Sequence, residues 1–211
     1  MNKHESKTYW KGFNEYTLYR KETLFEHQLA SIKIYGEKPE RRLYVAEYLS
    51  KLSPTNSLEI GCMFMNNSRN LETLNNINDK KCTYNGLDIS ELAIDIAAEE
   101  NPYYNTFLED IHIYNPEHHQ KYDLVFSVGV LIHIPTEEII EVASNLKKYS
   151  TKYIVHFEEH GEEFKKRNMP LRRYIANYKE LYKDAKKVTI LNAIDEGIAG
   201  GGVTHVILVE L

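Results

Sequence analysis

This 211-residue sequence predicts an α/β fold built on a mainly parallel sheet with helices on both faces. Three observations carry that prediction. From residue 57 onward, short apolar runs alternate with longer segments of helical character, as in repeated strand–helix–strand units. Two of those runs, Ser57-Leu58-Glu59-Ile60-Gly61-Cys62 and Tyr84-Asn85-Gly86-Leu87-Asp88-Ile89-Ser90, end in a small or acidic residue, the pattern of buried parallel strands whose C-terminal ends open onto a ligand crevice. Finally, only a short stretch containing Gly197-Ile198-Ala199-Gly200-Gly201-Gly202 separates the last two strand candidates. It is too short for a crossover helix, so the final strand must run antiparallel to its predecessor.

In chain order, Tyr9-Trp10-Lys11-Gly12-Phe13-Asn14-Glu15-Tyr16 is an aromatic opening segment whose rings are mixed with Lys and Asn rather than set in a helical stripe. Either a lid over a ligand or a helix docked on the sheet edge would produce that mixture. Helical character follows over 24–35. Pro39, suited to a first helical turn, opens a second helix carrying Leu43, Val45, Ala46 and Leu49. Strands are predicted at 57–61, 82–88, 105–110, 122–127, 153–158, 188–192 and 203–210, with helices between most of them. The segment Pro170-Leu171-Arg172-Arg173-Tyr174-Ile175-Ala176-Asn177-Tyr178 is predicted to begin an amphipathic helix. The expected organisation is one domain over 1–211, with 1–52 forming the aromatic lid and helices.

Composition narrows the function classes. With 42% hydrophobic residues there is material for one real core, and a net charge of −5 with a pI near 6.0 gives no global pull toward nucleic acid or anionic membranes. The two cysteines, Cys62 and Cys82, lie in or beside predicted buried strands and lack metal-ligand spacing. The first residues have no apolar core of a signal peptide, and no apolar run is long enough to span a bilayer. A soluble, cytoplasmic protein acting on a small molecule is the expectation, with oligomeric state left open.

Two adjacent strand ends suggest a mononucleoside site. Gly61 supplies a turn where backbone approaches the ligand, and Asp88 supplies a carboxylate able to accept from both ribose hydroxyls. Capping the following Ser90-Glu91-Leu92 segment is the alternative role for Asp88, with ribose binding the favoured one beside Gly61. The G-x-G-x-x-G pattern of nicotinamide dehydrogenases is not met by Gly61-Cys62-Met63-Phe64-Met65-Asn66.

The order of parts resembles the class I S-adenosylmethionine-dependent methyltransferases, whose Rossmann-like seven-stranded sheet ends in an antiparallel hairpin. Within them, Asp123-Leu124-Val125-Phe126-Ser127-Val128-Gly129-Val130-Leu131-Ile132-His133-Ile134-Pro135 is similar to the fourth-strand motif of methylases of pseudaminic-acid and surface-sugar biosynthesis, and Trp10-Lys11-Gly12-Phe13 with Tyr16 and Arg20 is similar to their opening motif. The resemblance implies S-adenosylmethionine as cofactor, held by Trp10, Arg20, Glu59, Gly61, Asp88, Ile89, Asp110, Ile111, Ser127 and Val128. Asp110 would lie near the adenine amino group, and Arg20 would pair with the cofactor carboxylate. The chain departs from the family after Gly61, where further glycines are usual. Met63 and Met65 fit there only if the side chains point away and the backbone avoids positive φ. Residues 66–70 are placed to reach the site. A non-catalytic binding protein on the same fold, or a methylase of peptide or RNA, are the alternatives.

On the acceptor side, His133 is either a base taking a proton from the nucleophile near neutral pH or a packed residue shaping the entrance. His156-Phe157-Glu158-Glu159-His160 groups imidazoles and carboxylates, but Gly161 indicates a loop, so no metal is expected and Glu158 and His160 are candidates for the acceptor pocket. Arg173 is a candidate for an anionic acceptor such as a nucleotide-linked sugar, or part of a charged helix face.

Overall fold

The computed structural model describes residues 39–116, 120–163, 165–167, 173–193 and 205–211. Trp10, Arg20, the 24–35 helix, His118, His119 and the 197–202 glycine stretch lie outside the described residues. Helix α1 (Pro39–Lys51) leads to strand β1 (Asn56–Ile60), followed by α2 (Asn66–Ile77), β2 (Thr83–Asp88), α3 (Glu91–Glu100), β3 (Asn105–Leu108) and β4 (Tyr122–Val128). A single 3-10 turn (Leu131–His133) precedes α4 (Ile139–Tyr149) and β5 (Ser150–Glu158). The short strands β6 (Lys165–Arg167) and β7 (Arg173–Ile175), helix α5 (Tyr178–Leu181), and strands β8 (Lys187–Asn192) and β9 (His205–Glu210) complete it.

The sheet order is β3-β2-β1-β4-β5-β9-β8. Strands β1 to β5 pair in parallel, whereas β9 pairs antiparallel with both β5 and β8. This is the Rossmann-like seven-stranded sheet with its C-terminal antiparallel pair. The strand order reverses between β1 and β4, which makes their C-terminal ends the topological switch point at which sheets of this type bind ligands.

Each face has its own core because side chains alternate along a strand. Leu58, Ile60, Val125, Ile154, Ile207 and Val209 pack against Val142, Leu146 and Tyr149 of α4, and against Tyr178 of α5 and the adjoining Tyr182. Leu124, Phe126, Val155, Phe157 and Val206 turn the other way, onto Val45 and Leu49 of α1, Leu71 of α2 and Ala97 of α3. Fully burying each large apolar side chain contributes about 1.5–3 kcal/mol. The alternation also places Ser127, His156 and Glu158 on the α4/α5 face, with Ser127 in register beside His156.

The amphipathic helix expected from Pro170 does not form over the described part of that segment. Arg173–Ile175 is a strand paired antiparallel with Lys165–Arg167, Ala176 bridges to His160, and helix is confined to Tyr178–Leu181 behind an Asn177 cap. Tyr174 and Ile175 favour extended backbone when a partner strand is available. The third strand also ends earlier than expected, at Leu108, because Asp110 begins a turn closed by the Ile113 amide on its carbonyl.

Candidate active site at the switch point

Gly61 follows β1 with φ +61, and a Cβ there would lie 2.6 Å from Cγ2 of Val130. Glycine is required by this close approach as well as by the left-handed turn. Beyond it the expectation for the methionine loop is overturned: Met63 (φ 44) and Met65 (φ 60) both adopt positive φ. Tertiary packing compensates for that conformation. Met65 is fully buried, and Gly86 makes room for it, since a Cβ on Gly86 would sit 2.2 Å from Met65 Sδ and 2.7 Å from Cys62 Sγ. The loop is further closed by the Met65 amide on the Cys62 carbonyl (2.8 Å) and the Cys62 amide on the Leu87 carbonyl (3.1 Å).

Asp88 ends β2 almost buried, at 8% exposure. Its Oδ2 accepts from the Met63 amide (3.0 Å) and its Oδ1 from the Ser90 amide (2.9 Å). The carboxylate therefore ties the glycine loop to the start of α3, while Ser90, not Asp88, supplies the helix cap by accepting from the Ala93 amide. Burial raises the Asp88 pKa against these bonds. Ile89 is half-buried between the two.

Glu59 is buried in β1, and its oxygens accept from Asn67 Nδ2 (2.7 Å), Ser68 Oγ (2.7 Å) and the Ser68 amide (3.1 Å). It thereby anchors the first turn of α2, whose Met65 cap position offers no side-chain bond. Asn67 is thus engaged with Glu59, and Asn66 accepts from Arg69.

Burial pushes Glu59 up to about 7 from the ordinary 4.5. Between these values the folded protein keeps a proton that the unfolded chain has released, so stability falls as pH rises through that window. The unfolding free energy of the native protein minus that of Glu59→Gln is expected to fall by up to about 1.4 kcal/mol per pH unit between pH 4.5 and 7. Urea denaturation across that range measures it, and a flat difference would refute the assignment.

Asp110 and Ile111 follow β3. Asp110 Oδ1 accepts from the His112 amide (3.0 Å) and contacts His112 Nδ1 (2.7 Å), and His112 Nε2 lies 2.8 Å from Glu138 Oε2. Asn145 of α4 donates to the Ile111 and His112 carbonyls, pinning this wall to the helix. The sequence reading missed His112 and Glu138. The Asp-x-His spacing after a strand was the available signal for the first; nothing local announced the second.

At the end of β4, Ser127 is fully buried and Val128 half-buried. Gly129 (φ +68) has nothing within 4 Å of where its Cβ would be, so the chain leaves the strand beside open space. His133 closes the following turn, its amide donating to the Val130 carbonyl (3.0 Å), and its side chain is half-buried. Strand β7 packs beside this turn, which brings the backbone of Arg173 to the side where His133 lies. His160 bridges to Ala176 just after β7, its Nδ1 accepting from the Tyr178 amide (3.4 Å) and its ring 5.5 Å from that of His205. Burial lowers its pKa. Glu158, expected to line the acceptor pocket, is instead fully buried, because alternation along β5 turns it onto the core face. Among the described residues no group of three or more His, Cys, Asp or Glu side chains could hold a metal ion.

The donor set suits an adenosyl cofactor: an acid at the second strand end for ribose hydroxyls, a glycine turn beside it, and open space at Gly129 on the facing strand. Of the residues the resemblance assigns to the cofactor, Gly61, Asp88, Ile89, Asp110, Ile111 and Val128 lie at or just beyond the ends of β1 to β4, whereas Glu59 and Ser127 are fully buried with their side chains bonded in the interior.

Comparison with known proteins agrees. Residues 58–151 match a family described as a methyltransferase domain. No curated protein sequence matches. Magnesium protoporphyrin IX methyltransferase from Synechocystis PCC 6803, solved with bound S-adenosylhomocysteine, superposes with a TM-score of 0.62 at 17% identity over 98% of both chains. An S-adenosylmethionine-dependent methyltransferase from Clostridium acetobutylicum gives 0.61 at 10% identity, over 89% of this chain and 98% of that one. The plantazolicin methyltransferase BpumL gives 0.55 at 16% identity, over 87% and 89%. At such identities the likeness establishes the fold. Taken with the matched segment, it defines the class of fold: a Rossmann-like sheet of the kind these methyltransferases carry, in a chain of which residues 58–151 match the methyltransferase-domain family.

Proposed function

We propose that the protein transfers a methyl group from S-adenosylmethionine to an oxygen or nitrogen of a small metabolite, with a sugar or nucleotide-sugar precursor as the acceptor class. The observation that carries this reading is the switch point between β1 and β4, which has Asp88 at the end of β2 on one side and the Gly129–His133 turn after β4 on the other. When bound, the cofactor supplies an electrophilic methyl on a sulfonium. The protein's part is to align the acceptor, exclude water and receive its proton. Asp88 fixes the nucleoside side, Val128 and Gly129 form the wall beside the reacting centre, and His133 accepts the proton. The sugar acceptor is supported by the similarity of residues 123–135 to surface-sugar methylases and by the placement of β7, with Arg173, beside the turn. Among the described residues no helix is long and apolar enough to cross a membrane.

Calorimetric titration with S-adenosylmethionine and S-adenosylhomocysteine, with a nicotinamide dinucleotide as control, is the direct test. Micromolar binding of the first two alone is expected; absence of both in a folded sample would favour a non-catalytic protein whose methionine loop has closed the site. In a screen of nucleotide sugars, His133→Ala is expected to leave cofactor affinity within about twofold and to lower turnover by about 10²-fold or more. Full activity of the variant would remove His133 from the chemistry.

A further inference from the structure

The turn that carries His133 hangs on a single carboxylate. Glu158 Oε1 accepts from the Val130 amide (2.7 Å), the Leu131 amide (3.0 Å) and Ser127 Oγ (3.1 Å), and its Oε2 accepts from the Ile132 amide (3.4 Å). Three successive amides thus face one fully buried side chain from a neighbouring strand.

Behind the carboxylate stands an ordered chain of donors. Ser127 Oγ is 2.8 Å from His156 Nδ1, and His156 Nε2 is 2.8 Å from the Tyr182 hydroxyl, all of them buried. Burial holds His156 neutral, pulling it down to about 3, so the ring carries one proton. Burial pushes Glu158 up to about 7 against the bonds it accepts; in its ionised form it can only accept, so the Ser127 hydroxyl donates to it. Ser127 Oγ then accepts from Nδ1–H, and the bare Nε2 accepts from Tyr182. Every bond in this chain points toward Glu158.

In front of the carboxylate, the same turn touches the cofactor side. Val130, whose amide makes the shortest of the bonds, places Cγ2 2.6 Å from the position that a Gly61 Cβ would take. His133 is bonded to the Val130 carbonyl. One residue therefore links the two halves of the crevice.

We propose that Glu158 is a positioning residue for methyl transfer: by gathering the amides of residues 130–132 it seats Val130 against the Gly61 turn and presents His133 to the crevice. The assignment of the two sides rests on the methyltransferase reading above. What Glu158 does to the turn is independent of it.

Amide hydrogen exchange on the native protein without cofactor, compared with Glu158→Gln, tests the proposal. In the native protein the amides of 130–132 should be protected. In Glu158→Gln they should exchange about tenfold or more faster while the interior of β4 keeps its protection, since a neutral amide is a weaker acceptor and presents a donor to one of the three N–H groups. The ring resonance of His133 should shift in the variant, and the Kd for S-adenosylhomocysteine should rise about fivefold or more through the Val130–Gly61 contact.

Unprotected 130–132 amides in the folded native protein would overturn the proposal, and this holds even if the variant fails to fold. A variant with an unmoved His133 resonance and unchanged affinity would reduce Glu158 to a buried cap and overturn it equally. Should the native protein bind no S-adenosylhomocysteine, the cofactor reading fails, while exchange at 130–132 and the His133 resonance still decide the role of Glu158.

Discussion

Asp88→Ala is expected to weaken S-adenosylhomocysteine binding by about 100-fold or more, because it removes two charged hydrogen bonds, each contributing about 1.5–3 kcal/mol. The same carboxylate also holds the Met63 and Ser90 amides at 3.0 and 2.9 Å, so the change acts twice: on the ligand directly and on the loop that shapes its site. The two contributions separate experimentally. If Asp88 serves only the loop, the variant will show a lowered urea midpoint with an affinity loss below about tenfold, since the forfeited amide bonds then act on the folded chain and not on the ligand. Calorimetry alongside urea denaturation distinguishes the outcomes. Asp88→Asn, which retains one acceptor oxygen, should fall between the native protein and the alanine variant.

The second large effect concerns the methionine loop. Gly86→Ala places a methyl 2.2 Å from Met65 Sδ and 2.7 Å from Cys62 Cβ, and is expected to cost about 1–3 kcal/mol by overpacking. Met65→Ala alone should cost about 2–5 kcal/mol by opening a cavity. Together the two substitutions should cost less than their sum by about 1 kcal/mol or more, because the new methyl enters space the thioether has left. Strict additivity would mean that Cys62, not Met65, meets the added methyl. The combination would also test how a loop with two non-glycine residues at positive φ persists. Met65 works as a buried anchor that holds the backbone in a conformation its own residue type disfavours.

Much of the architecture was legible from local pattern. Apolar runs such as Leu124-Val125-Phe126 read as buried strands because both faces of a parallel sheet are covered. The short glycine-rich connection required the last strand to be antiparallel. The acid at position 88 and the glycine at 61 were visible as strand-end residues, which is where this class of sheet places ligands. Where expectation failed, the missing information was non-local. Residues 173–175 carry a sequence compatible with helix, but pairing with 165–167 makes them a strand. Met63 and Met65 were expected to avoid positive φ, and nothing near them in sequence shows that Gly86, one helix further along on the next strand, leaves the space that makes it tolerable.

The candidate site divides in the same way. Composition and periodicity by themselves determined the layered α/β fold, the direction of its last strand, and the positions of Gly61, Asp88 and Ser127 at strand ends, because these depend on the alternation of side chains and on the reach of a short connection. Only the tertiary structure decided what those residues touch. Glu158 reads as a pocket acid in the sequence, yet it is buried beneath the amides of 130–132, and His112 draws Asp110 and Glu138 together from separate loops. Hydrogen bonds in a dry interior must be satisfied by whichever groups the packing brings within about 3 Å, and that choice is made between segments far apart in the chain.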